Sequence, residues 1–143
     1  MSFDLSTVKW GWVVIGAIVA TVVGLVLALI VQFGYGVILG FQLRGSPPQE
    51  MLIEAFTSLP FLILGVITTL IGALVGVRMA ARRSEGSAQL AGLIGGIVTA
   101  VLVLALRSYQ WGLDIWRVVD VAAAVLGGWL AGLLAARRAR TSY

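Results

Sequence analysis

The sequence predicts an all-α membrane protein: four transmembrane helices in a compact antiparallel bundle, forming a single transmembrane domain over residues 1–143. Three observations predict it. Hydrophobic residues make up 60% of the chain and charged residues 11%, with a mean hydropathy of +1.05, whereas an ordinary soluble domain carries roughly 25% charged residues. Four apolar runs, Trp10 to Val31, Ala55 to Val77, Leu90 to Leu106 and Val118 to Ala136, hold no ionisable side chain in their middles, and a hydrocarbon core about 30 Å thick is crossed by about 20 helical residues. Each run is also threaded by small residues at four-residue spacing.

The first helix is expected from about residue 8 to 33, or on to 43. Its apolar run is too long for a signal-peptide core, and no small-residue cleavage site follows before Gln32. Apolar character continues through Phe33-Gly34-Tyr35-Gly36 to Leu43. From Trp10 that is about 51 Å of helix, well beyond the bilayer. The segment 33–43 therefore either projects outward, with a partner covering Phe33, Ile38, Leu39 and Phe41, or breaks at its glycines and lies in the interface.

Ser46-Pro47-Pro48-Gln49 reads as a capping box. It opens a second helix over 47–82, kinked at Pro60 with the carbonyl of Phe56 released. Arg82-Arg83-Ser84-Glu85-Gly86-Ser87 is a tight turn in which Gly86 suits a helix C-cap and Ser87 an N-cap. The third and fourth helices are expected over 88–107 and 117–138, with 107–117 as a short surface helix between them. Gly72 to Arg83 aligns with Gly127 to Arg138 at a constant offset of 55. That suits either two parallel-repeated helical hairpins or the generic glycine and arginine content of small membrane helices.

Charge sets the orientation. With both termini cytoplasmic, the inner segments hold Lys9, Arg78, Arg82, Arg83, Arg137, Arg138 and Arg140 against Arg44, Arg107 and Arg117 outside, so the positive-inside rule favours that arrangement. The basic balance, a net charge of +4, then anchors the chain to anionic headgroups and not to nucleic acid. Trp10 and Trp12 mark one interface; Tyr109, Trp111 and Trp116 mark the other. Trp129 is lipid-facing or a knob for a partner or pigment.

Function is bounded mainly by exclusion. The chain has no histidine or cysteine, which removes disulfides, thiol chemistry, zinc sites and the commonest haem ligand. No catalytic or metal residues and no cofactor are predicted, with a non-covalent lipid or pigment left open. The strongest internal pattern is the set of small residues Gly16, Ala20, Gly24 and Ala28; Gly72 and Gly76; Gly92 and Gly96; Gly128 and Gly132, flat strips that let helix backbones approach closely in lipid. They serve packing within one four-helix unit, and some are available to another subunit. Thr21, Thr68, Thr69 and Thr99 fall at one depth. They form either a polar layer for water, an ion or a small solute, or bonds to nearby carbonyls. Asp114, Arg117 and Asp120 are candidate ion pairs at the outer surface, clustered with Arg107. Glu50 and Glu54, one turn apart, hold a divalent ion or simply favour the positive end of their helix. No carboxylate is expected at midplane, where ion-coupled transporters and proton pumps usually need one.

The order of small-residue helix, basic turn and glycine-rich helix (Gly72-Ala-Leu-Val-Gly76, Ala80-Ala-Arg82-Arg83, then Leu90-Ala-Gly92-Leu-Ile-Gly95-Gly96), closed by Gly127-Gly128, resembles the small bacterial four-helix membrane proteins of the YrzE type. The resemblance covers most of the chain on motifs of low specificity. It implies a four-helix architecture and a bacterial plasma membrane, and no activity. The long first helix and the connection from Arg107 to Asp120 depart from that pattern. The expected function is a non-enzymatic structural or accessory subunit, packing through its Gly/Ala strips against other membrane subunits or itself. The alternative is a small oligomeric transporter or channel built on the threonine layer.

Overall fold

The computed structural model describes residues 5–84, 87–111 and 114–141, and the side chains of all of these but 108–111 and 139. After a 3-10 turn at Leu5–Thr7 come α1 (Trp10–Leu43), α2 (Gln49–Thr57), α3 (Leu59–Arg83), α4 (Ala88–Trp111) and α5 (Ile115–Thr141). Among the described residues there is no strand. α1, α3, α4 and α5 are long and apolar enough to cross a membrane.

Glycine dictates how they meet. Gly16 faces Gly76 and Ala80, Gly24 faces Thr68, and Gly72 lies against Ala20 and Gly24, so α1 and α3 are antiparallel with backbones in contact. α4 and α5 repeat the arrangement: a Cβ on Gly92 would stand 2.6 Å from Gly128 O, and one on Gly132 2.7 Å from Ala88 O. The two hairpins lie side by side. α5 runs parallel to α3, with Gly127 against Ala73 and Leu70, and Gly95 admits Val77 from α3 to the centre, where Val77 is wholly buried. In α5 the seam that faces α4 is Gly128 and Gly132, equivalent to Gly72 and Gly76 at an offset of 56, not 55. The offset of 55 instead brings Gly127 and Ala131 onto the face that meets α3 and the central cluster of Ala20 and Val77.

At the end holding both termini, Val8, Val13, Ala80 and Ala91 form a second apolar cluster with Trp12, Leu90 and Ile94. Lys9 N–H donates to Ser84 Oγ (3.4 Å), and the Arg83 guanidinium lies 4.5 Å over the Trp12 ring. Trp10 and Trp129 face outward.

Several boundaries differ from the sequence reading. α1 is continuous to Leu43, passing unbroken through Gly34 and Gly36. It ends in two reverse hydrogen bonds, Gly45 N–H to Gly40 O (3.1 Å) and Arg44 N–H to Phe41 O (3.3 Å), with Arg44 left-handed at φ 52°. The capping box at Ser46 is not formed. Helix begins at Gln49 with Pro48 as its cap, because a residue that precedes a proline is held out of the helical region, and Pro47 precedes Pro48. The helix expected over 47–82 is divided, not kinked: Ser58 is extended (φ −69°, ψ 154°), and Pro60 sits in the first turn of α3, where its missing N–H had no partner to lose. The segment 107–117 is not a surface helix, since α4 runs to Trp111 and α5 starts at Ile115. Ser87 O accepts from Ala91 N–H (2.9 Å) at the start of α4, while its buried Oγ makes no hydrogen bond among the described residues. The expected cap at Gly86 and the interfacial rings of Tyr109 and Trp111 lie outside the described residues.

Candidate functional site

Where α3, α4 and α5 converge at the end opposite the termini, Asp120 is buried at 4% exposure. Its Oδ2 accepts from Arg107 Nη1, and Arg117, one turn earlier on α5, places Nη1 3.6 Å from the same oxygen. Its Oδ1 lies 3.5 Å from Thr69 Oγ1. The ion pairs expected from the sequence between Asp120 and Arg117, with Arg107, are present, but Asp120 is buried where the expectation had it at the surface. The parallel register of α3 and α5, fixed where Gly127 meets Ala73, sets Asp120 beside Thr69 and not in water. Gly65 completes the setting: a Cβ there would stand 3.6 Å from Arg107 Nη1, so a larger side chain would crowd the guanidinium. Asp114 remains exposed, with Oδ1 accepting from Ile115 N–H (2.6 Å).

Burying a carboxylate away from water costs several kcal/mol unless it is paired and its remaining lone pairs are satisfied. Two arginines and a threonine hydroxyl surround this one.

The threonines divide. Thr21, Thr69 and Thr99 line a cavity of about 20 Å³ together with Arg107, Val103 and Leu106. Thr68 does not line it; its backbone carbonyl faces Gly24. Every hydroxyl of the set has a carbonyl of its own helix as acceptor: Thr21 to Ala17 (2.9 Å), Thr68 to Gly65 (2.8 Å), Thr69 to Gly65 (3.0 Å), Thr99 to Gly95 (2.8 Å). That is the local bonding habit of threonine inside apolar helices.

The small-residue strips are turned inward. Gly16, Ala20, Gly24, Gly72, Gly76, Gly92, Gly96, Gly128 and Gly132 are all buried, and Ala28, one turn past Gly24, is half-buried. Glu50 and Glu54 are exposed on α2. No group of three or more potential metal ligands occurs among the described residues.

The sequence reading did not find a second feature of this end. Tyr35, Phe56 and Phe61 stack edge to face, with centroids 4.9 to 6.2 Å apart, tying α1 across the break between α2 and α3. The rings lie 21 or more residues apart in sequence from Tyr35, and no local pattern signals their meeting. Past this trio α1 keeps one face uncovered, while Gly40 on another lies against Gly45 and Pro47 of the following loop. Gly24 packs on Thr68, and nine residues further along α1 is Phe33, level with Leu59, where α3 begins. The ten residues from Gly34 to Leu43 extend about 15 Å beyond. Phe41 is 82% exposed, and Ile38 and Leu43 are exposed with it.

Neither the protein-family models nor the curated proteins and solved structures contain a match to this chain.

Proposed function

We propose that the protein is a non-enzymatic subunit of a larger membrane assembly, docking on a partner membrane protein through the overhanging end of α1. The overhang supports this reading. An apolar helix of about 51 Å, tilted by the 40° that bounds ordinary transmembrane helices, still rises about 39 Å, against about 30 Å of hydrocarbon. Ile38 and Phe41 therefore outrun the lipid tails even at that tilt, and the chain's other helices do not cover them. The partner is expected to meet this surface and not the glycine strips, which are occupied by one another. The lysine and arginine distribution supports an orientation with both termini cytoplasmic, and the resemblance to YrzE-type proteins supports a bacterial plasma membrane; together they place the overhang outside the cell.

A photocrosslinking amino acid at Phe41 in native membranes tests the docking. Adducts with a second membrane protein are expected; adducts with lipid alone overturn it. Because the chain lacks cysteine, single cysteines at Arg82 and Arg44 test the orientation, with impermeant reagent labelling only Arg44→Cys from outside. A transporter built on the threonine layer has less support, since the cavity there has room for about one water-sized group.

A further inference from the structure

Arg78 is set apart from the other cations of α3. Arg82 and Arg83 close the helix, and Arg83 lies over the Trp12 ring, where basic and aromatic side chains mark the headgroup level. Arg78 is five residues before Arg83, about 7.5 Å further into the bilayer. Its Cα–Cβ bond tilts towards the N-terminus of α3, away from those headgroups. It shares a helix face with Ile71, Val75 and Arg82, at spacings of seven, three and four residues, and all three are exposed. A charge at the lipid-facing edge of a span is costly unless an acceptor meets it.

The described residues supply no such acceptor. Arg78 Nε is buried without a hydrogen-bond partner, and the described acids, Glu50, Glu54, Asp114 and Asp120, all belong to the opposite end. The side chain as a whole is half-buried, so Nε is held against the protein while the two Nη groups stay at the surface. Arg82, one turn on, brings a second guanidinium to the same face, and like charges at this spacing repel unless an anion lies between them. Free ions do not enter the edge of the hydrocarbon, whereas a phospholipid carries its phosphate to that boundary on its own tails. We propose that Arg78 and Arg82 hold the phosphate of an anionic phospholipid in the leaflet on the side of the termini, the Nη pair of Arg78 donating to it from the hydrocarbon side and Arg82 from the headgroup level. This is a fixed site, separate from the diffuse attraction that a net charge of +4 exerts on any anionic surface.

Native mass spectrometry of the full chain, released from nanodiscs of phosphatidylglycerol and phosphatidylcholine in equal amounts, tests the site. The unaltered chain is expected to retain phosphatidylglycerol several-fold over phosphatidylcholine. Arg78→Gln should lose that preference and Arg78→Lys keep part of it. Arg140→Gln removes the same charge from an exposed position at the end of α5 and should leave the preference intact. Excess inorganic phosphate should neither form adducts nor displace the lipid. Equal retention of the two lipids by the unaltered chain overturns the proposal whether or not the variants fold. So does a preference that survives in folded Arg78→Gln, a loss as large in Arg140→Gln, or displacement of the lipid by inorganic phosphate.

Discussion

The two halves of α1 use glycine in opposite ways. Between Gly16 and Gly24 the helix touches α3 backbone to backbone, so that a Cβ on Gly16 would lie 2.9 Å from Gly76 O. Around Gly34 and Gly36 nothing lies within 4 Å of where a Cβ would stand. In the first half, absence of a side chain is what permits close approach, in a solvent that gives apolar helices little reason to associate. In the second half it permits nothing within the chain, yet the helix still runs straight through. The same residue type marks a closed seam below and an uncovered surface above.

The largest expected effect follows from closing the seam with a side chain. Gly76→Leu drives a side chain into the backbone of Ala20, a clash that no rotamer change relieves. Loss of stability above about 4 kcal/mol is expected, read as failure to recover monodisperse protein in mild detergent. Gly128→Leu, against Gly96, should do the same in the other hairpin. Either variant retaining the unaltered melting temperature would show that the seams are not what joins the helices.

Next is the buried pair. Asp120→Ala leaves Arg107 and Arg117 facing each other without the carboxylate between them, at a cost of about 3 kcal/mol. Arg107→Ala should lose a similar amount, and the double variant less than the sum of the two. Thermal unfolding in detergent measures all three; full additivity would mean that the pair does not interact.

These two effects differ in how far they could be read from the sequence. The seams were legible because their information is local: Gly16, Ala20 and Gly24 recur at helical spacing, and flat strips have few uses in lipid. The four spans were legible for a similar reason, as uninterrupted apolar length. The pairing of Asp120 with Arg117 and Arg107 was legible from spacing, but its burial was not, since whether a residue one turn into α5 meets water or Thr69 depends on the register of two helices whose contacts are about 50 residues apart in sequence. The cavity shares that dependence, needing Thr21, Thr69 and Thr99 from three helices at once. Proline misled for the opposite reason. Pro60 reads as a kink if the helix is taken to run through it, but the break falls two residues earlier at Ser58, where Phe56 and Phe61 turn back onto Tyr35. Long-range aromatic packing chose between two local outcomes that the sequence allowed equally.

A smaller effect, of opposite sign, sharpens the contrast within α1. Gly36→Ala adds a methyl into open space and removes backbone freedom from the unfolded chain, so stability should rise by about 0.5–1 kcal/mol. Gly16→Ala, the same change in the seam, should destabilise, because its methyl meets Ala80 Cβ at 3.0 Å as well as Gly76 O. Melting temperatures of the pair that move together would erase the distinction between the halves.

The smallest effect on the isolated chain is expected at the overhang itself. Phe41 and Ile38 are exposed and lie past the level where α3 begins, so Phe41→Ser with Ile38→Ser should change stability by no more than about 0.5 kcal/mol. A docking surface behaves differently once its partner is present, because aromatic anchors commonly carry about 2 kcal/mol or more of binding energy each. Co-purification from native membranes should then collapse while the variant's own melting curve is unchanged. That separation is what makes the overhang a better probe than the seams, whose substitution would unfold the chain and abolish every association with it. A variant that keeps all its companions would leave the exposed end of α1 with lipid as its only cover.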